Sequence, residues 1–114
     1  MLPDHIDPED IPDGVYVEGP MVGLRVQWPK RGRGRGRLAK GRILAVVDPQ
    51  ATNGDAISAC AKVYGDEYGK ITASYFSGSP IYGGTERYFV ASESNSSSTG
   101  YTYYAPSRKD VYIA

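Results

Sequence analysis

The 114-residue sequence has one cysteine and one histidine. Cys60 alone excludes an internal disulfide, and His5 alone leaves no Cys/His set for zinc. Nucleophilic catalysis by Ser or Cys normally needs a nearby base oriented by a third group. The only imidazole lies in a proline-rich stretch at the N-terminus. A G-x-S-x-G elbow, a G-x-x-x-x-G-K-[ST] phosphate loop and a strand-to-helix G-x-G-x-x-G are all missing. No apolar run approaches the roughly 18 residues of a membrane span, and the Met1-Leu-Pro-Asp-His5 start lacks the basic head and apolar stretch of a signal peptide. These absences predict a non-enzymatic protein with no cofactor and no metal. It is expected in the cytoplasm, or in a virion assembled there if the source is viral.

Ten Tyr, fourteen Gly and eight Pro are present. Tyrosine and the β-branched residues favour strands over helices. One core is expected, because a chain of this length falls within the size of a single domain.

Residues 1–13 carry three prolines, which fix φ and remove amide donors. They predict an extended acidic arm ahead of a single β domain over 14–114. Alternation puts Val22, Leu24, Val26 and Trp28 on one side of a strand. The unbroken apolar run Ile43–Val47 predicts a strand in the middle of a sheet. Asn53-Gly54 reads as a turn, after which Ile57, Ala59, Ala61 and Val63 alternate as a half-buried strand, with Cys60 as a buried filler. Gly65–Gly69 is expected to close a hairpin onto Ile71, Ala73 and Tyr75. Further strands are expected at 86–91, 101–105 and the C-terminal Val111-Tyr112-Ile113, the last pairing at a sheet edge. The polar run at 92–100 predicts an exposed serine-rich loop. About seven short strands suggest an all-β barrel or sandwich.

Charge is the most informative property. Formal net charge is zero, yet Asp4, Asp7, Glu9, Asp10, Asp13 and Glu18 all precede the first cation. Eight of the thirteen cations then fall between Arg25 and Arg42, with no acid among them. Lys30, Arg31, Arg33, Arg35, Arg37 and Lys40 form the candidate site, on an Arg/Gly loop at 29–37 that offers nothing apolar to a core. Three readings compete. The loop, beside Trp28, grips nucleic-acid phosphates; its arginine forks dock on an acidic protein surface, such as a neighbouring copy's arm; or it is solvated and has no ligand.

Other features read more simply. Asp66 and Glu67 could form an acid/base pair, but in a turn both would be solvated. The arm acids do not match a calcium-loop spacing. Tyr82, Tyr88, Tyr101, Tyr103, Tyr104 and Tyr112 suit cross-strand packing better than an exposed binding strip.

Gly41-Arg-Ile-Leu-Ala-Val-Val-Asp48, between a glycine-rich approach and a Gln/Thr/Asn turn, resembles a segment of the lambda-type head decoration proteins of tailed phages. The resemblance implies a small β-rich protein whose N-terminal arm helps it trimerise on a capsid lattice and cement shell subunits without catalysis. It implies protein subunits, of a capsid lattice or of its own kind, as partners, with a homo-oligomeric or lattice-bound state and no membrane. A head-to-tail connector subunit is a related expectation. An arm can also gain main-chain hydrogen bonds by adding to a neighbour's sheet. Pro3, Asp4, Ile6, Asp7, Pro8, Glu9, Asp10 and Ile11 are its expected contact residues. The alternative is an SH3-like or OB-like barrel that binds nucleic acid through the basic loop.

Overall fold

In the computed structural model, residues 6–29, 36–69, 71, 86–94 and 100–114 are described. Six strands form one antiparallel sheet: β1 (Val15–Tyr16), β2 (Arg25–Pro29), β3 (Leu38–Val47), β4 (Arg87–Glu93), β5 (Tyr101–Tyr104) and β6 (Tyr112–Ile113). The order is β5-β4-β3-β2-β6, and β1 pairs with β3. One helix, α1 (Asn53–Tyr68), lies between β3 and β4 in sequence. The described residues are therefore mostly sheet, and that sheet is open and not a closed barrel.

The apolar run that predicts a central strand does form β3, flanked by β2 and β4. The register slips between Ile43 and Ala45, which meet the adjacent residues Val90 and Phe89 of β4. Leu44 is thus the extra residue of a β-bulge. Leu44 and Ala45 consequently both face α1, while Ile43 packs on the opposite side. The helix-side core joins these two residues to Val47, Phe89, Ala91, Tyr103 and the helical Ala56, Ala59 and Cys60. Val26, Trp28, Ile43, Tyr88 and Val90 form the core of the other face. Full burial of a side chain such as Phe89 contributes roughly 1.5–3 kcal/mol.

The sheet curls. β2 and β5 are separated by two strands, yet the Trp28 and Tyr104 rings lie 5.7 Å apart. In a flat sheet that separation would be roughly 14 Å. Gly41 makes the curl possible, because a Cβ there would stand 2.6 Å from the Ala91 carbonyl oxygen and 3.0 Å from the Trp28 ring.

The expected strand at 57–63 and the turn at 65–69 are replaced by α1. Thr52 and Asp55 form a reciprocal capping box: Asp55 N–H donates to Thr52 Oγ1, and Thr52 N–H donates to Asp55 Oδ2, both at 3.1 Å. Burial follows the helical period, with Ala56, Ile57, Ala59, Cys60 and Tyr68 inside while Ala61 is exposed. Gly69, at φ 68°, ends the helix in a conformation that other residues resist. Cys60 fills the core as expected, but from the helix. Of the proposed partner strand only Ile71 is described, and it is buried; Ala73 and Tyr75 lie outside the described residues.

The N-terminal segment also departs from an extended arm. Pro8–Asp10 is a 3-10 turn, with Asp7 accepting from Glu9 N–H at 3.0 Å. Ile11 packs on the helix-side core, and Lys62 Nζ donates to the Asp10 carbonyl at 2.9 Å. Residues 6–13 thus lie against their own domain. Pro3 and Asp4 are outside the described residues. Pro29 and Arg37 bound the described ends of the Arg/Gly run. In the serine-rich stretch, Ser92 and Glu93 belong to β4, and Ser94 N–H donates to the Gly100 carbonyl at 2.9 Å.

Candidate functional site

Strand alternation sorts the basic cluster. Val26 and Trp28 turn to the buried side opposite α1, so Arg25 and Gln27 turn to the helix side. β2 pairs with β3 through Arg25↔Arg42, Gln27↔Lys40 and Pro29↔Leu38. One strip of the sheet therefore carries Arg25, Gln27, Leu38, Lys40 and Arg42. The last turn of α1 reaches only the Arg42 end of this strip, where Glu67 Oε1 lies 3.8 Å from Arg42 Nη1. Tyr112, opposite Gln27 on β6, extends the strip to the sheet edge and is 55% exposed.

A cleft of about 490 Å³ opens along it. Arg25, Lys40 and Arg42 contribute its cations, Glu67 and Glu93 its acids, and Leu38, Tyr68 and Tyr101 its apolar surface. Tyr68 is held firmly: its ring meets Tyr101 edge-on at 4.8 Å, and its carbonyl accepts from the Tyr103 hydroxyl at 3.1 Å. Burial pushes the Tyr68 hydroxyl pKa up, with the Glu67 carboxylate adding to the shift, so this group stays a neutral donor. The cleft offers fixed positive charge, not a proton relay.

Arg25 and Arg42 are direct register partners. Like charges so placed destabilise a strand pair, and the Glu67 contact, between two well-exposed side chains, offsets little of that. An anionic ligand would relieve it.

Of the predicted basic residues, Lys40 lies in this strip, and Arg37 is exposed just before Leu38. Lys30, Arg31, Arg33 and Arg35 fall outside the described residues. The sequence-derived site, Lys30 to Lys40, omitted Arg25 and Arg42, which lie to either side of it. The signal that finds them is period-2 alternation combined with hairpin register. Trp28 does not join the site: it is buried against Gly41 and Tyr104 on the far face. Tyr88 and Tyr103 are core residues, Tyr104 meets Trp28 at a tilt, and Tyr82 is outside the described residues. Tyrosine thus serves packing more than a binding strip.

Asp7, Glu9 and Asp10, from the predicted arm, are exposed, while Ile6 and Ile11 are half-buried. Asp13 is exposed too and precedes Gly14, whose carbonyl accepts from Asp48 N–H at 2.7 Å just past the end of β3. The acids therefore lie along the α1 flank and towards the Val47 end of β3, and the cations at its Leu38 end. Among the described residues no group of three His, Cys, Asp or Glu is placed to hold a metal, and no helix is long and apolar enough to cross a membrane. Comparisons with protein-family models, with curated proteins and with solved structures find no match to this chain.

Proposed function

We propose that this chain is a non-enzymatic interaction protein that docks on acidic surfaces of neighbouring protein subunits in a larger assembly. The carrying observation is the directly opposed Arg25 and Arg42, joined by Lys40, on a strip of sheet that the helix meets only at its last turn, by Arg42. Opposed cations cost stability, and a docked carboxylate surface would recover it through bidentate contacts. The resemblance of Gly41–Asp48 to phage head decoration proteins supports a virion component, a capsid cement or head-to-tail connector subunit, as the kind of assembly. The arm's part in that reading is its exposed acids, because Ile11 holds the segment to its own domain.

A second reading places a nucleic-acid strand on the same strip, favoured by the exposed Tyr112 beside Gln27. Stacking needs accessible rings. Trp28 offers none, and Tyr101 is engaged by Tyr68. This favours carboxylates over bases.

The test measures fluorescence anisotropy of labelled polyaspartate and of a labelled single-stranded oligonucleotide, across salt, with wild type and with Arg25→Glu/Lys40→Glu. Polyaspartate should bind at low salt, release as salt rises, and bind the double variant at least about tenfold more weakly. Binding that the substitutions leave unchanged would refute the assignment of this strip. Stronger oligonucleotide binding, with a log-log salt slope near 0.7 per phosphate, would select the second reading.

A further inference from the structure

We propose that the acidic surface received by the basic strip is the N-terminal segment of a second copy of this chain, so that copies join head to tail. The inference rests on the docking reading above and names its partner.

The charges are separated and unspent. Asp7, Glu9, Asp10 and Asp13 are exposed and form no ion pair among the described residues, and the same holds for Arg25, Arg37 and Lys40. Lys62, the cation beside the acidic segment, is committed to a backbone carbonyl, that of Asp10. It fixes the segment without engaging a carboxylate. Arg108 is paired with Glu86 at 3.4 Å.

Among the described residues of one molecule, the ends of this charge pattern lie too far apart to neutralise each other. Asp13 lies near the Val47 end of β3, and Lys40 is seven residues away along that strand, roughly 23 Å at ~3.3 Å per residue. Physiological salt screens exposed charges over about 8 Å. Between two copies the same groups can reach contact distance, and zero net charge leaves no overall repulsion to oppose the approach.

The fit is also chemical. The acids sit on a segment shaped by a 3-10 turn and held by Ile11, so docking orders little new chain. The strip presents Arg25 and Arg42 side by side for paired carboxylate contacts, with Leu38, 49% exposed, further along it beyond Lys40. Glu67 and Glu93 at the cleft restrict which acids can enter, which favours a defined register over general adhesion. Because the two surfaces differ, the contact is heterologous and produces rings or open chains, not an isologous dimer.

Sedimentation velocity on the whole chain tests this, from about 10 to 300 µM protein at low salt and again in about 1 M salt, where screening acts within about 3 Å. Wild type should associate with rising concentration at low salt and revert to monomer at high salt. Arg25→Glu/Lys40→Glu and Glu9→Lys/Asp10→Lys/Asp13→Lys should each stay monomeric, with circular dichroism matching wild type. An equimolar mixture of the two variants should associate again, because each supplies the surface that the other has lost. Single Arg25→Glu and single Glu9→Lys repeat the comparison should a multiple variant fail to fold. A wild type that stays monomeric, variants that associate as well as wild type, or a mixture that does not recover would each overturn the proposal. A monomeric wild type whose polyaspartate binding is still lost in Arg25→Glu/Lys40→Glu overturns self-association and leaves the docking strip standing. Absence of that binding removes both.

Discussion

Replacing Gly41 by alanine should destabilise the fold by about 2 kcal/mol, whereas the same change at Gly65 should stabilise it. Gly41 lies in the middle of β3, opposite Val26. An added Cβ would stand 2.6 Å from the Ala91 carbonyl oxygen and 3.1 Å from its carbon, with the Trp28 ring at 3.0 Å on the other side. The ring can shift, but the carbonyl belongs to β4 backbone already paired with β3 and β5. Overpacking against a fixed neighbour costs about 1–3 kcal/mol, and this contact belongs at the upper end. Reduced freedom of the unfolded chain offsets about 0.4–1 kcal/mol. The net loss should lower the melting temperature by about 8 °C.

Gly65 lies inside α1 with nothing within 4 Å of an added Cβ. Alanine there should stabilise by about 0.5–1 kcal/mol, because glycine carries excess unfolded-state entropy. Urea unfolding of both variants, with far-ultraviolet circular dichroism as the signal, reads the two signs against one wild type. A Gly41→Ala midpoint within error of wild type would refute the close approach of β3 to β4, and with it the curl that brings Trp28 to Tyr104.

Thr52→Ala removes half of the capping box and should lower stability by about 1 kcal/mol, read as a shift in urea midpoint at constant slope. Arg87 is buried, with Nε and Nη2 lacking partners among the described residues, and burial lowers its pKa. Arg87→Met should therefore be neutral or stabilising by up to about 2 kcal/mol, and a loss above about 1 kcal/mol would show that the guanidinium is held. Burial, the largest cause, pushes the Tyr64 hydroxyl up from 10.0 to about 12, and Tyr68 shifts the same way. The folded state thus keeps a proton that the unfolded state releases first, so stability should be intact below pH 10 and fall as pH rises towards about 12. Tyrosinate absorbance and unfolding midpoints across that range should show a smaller fall in Tyr64→Phe.

Most of the strands were legible because each offers a decisive pattern. The alternation at Val26 and Trp28, the run at 43–47, and the apolar C-terminus became β2, β3 and the edge strand β6, whereas Val22 and Leu24, expected in the same strand, lie before β2 in and after a turn. α1 was misread because small residues fit two periods at once. Ile57, Ala59, Ala61 and Val63 alternate, yet Ala56, Cys60, Val63 and Tyr64 recur at helical spacing. Alanine density and the Thr52-x-x-Asp55 pair favour the helix, and the Asn53-Gly54 dipeptide masked them by reading as a turn while lying inside the first helical turn. The N-terminal segment was misread for a related reason. Three prolines exclude a long helix or a central strand, but they permit a short 3-10 turn, and Ile11 has a core within reach to bury against.

The charge asymmetry was legible; the face on which it would act was not, because a single residue decides that. Up to Arg42, β3 alternates strictly, placing Lys40 and Arg42 on the helix side. Unbroken alternation would then set Leu44 and Val46 under the helix and expose the far face to Ala45 and Val47. The bulge at Leu44 shifts the count, so that Leu44, Ala45 and Val47 all enter the helix-side core. One strand thereby supplies a sealed core beneath α1 and, from the last turn of the helix outward, a row of cations on the same face. Since the helix ends at Tyr68, where Gly69 breaks it, the boundary between core and docking strip is set by two local features, a bulge and a helix stop. Neither requires Arg25 or Lys40, which form no ion pair among the described residues, and only Arg42 meets the helix, through Glu67. The clustering of Arg25, Lys40 and Arg42 at a cost in stability is what supports the proposal that this end of the sheet meets an acidic partner.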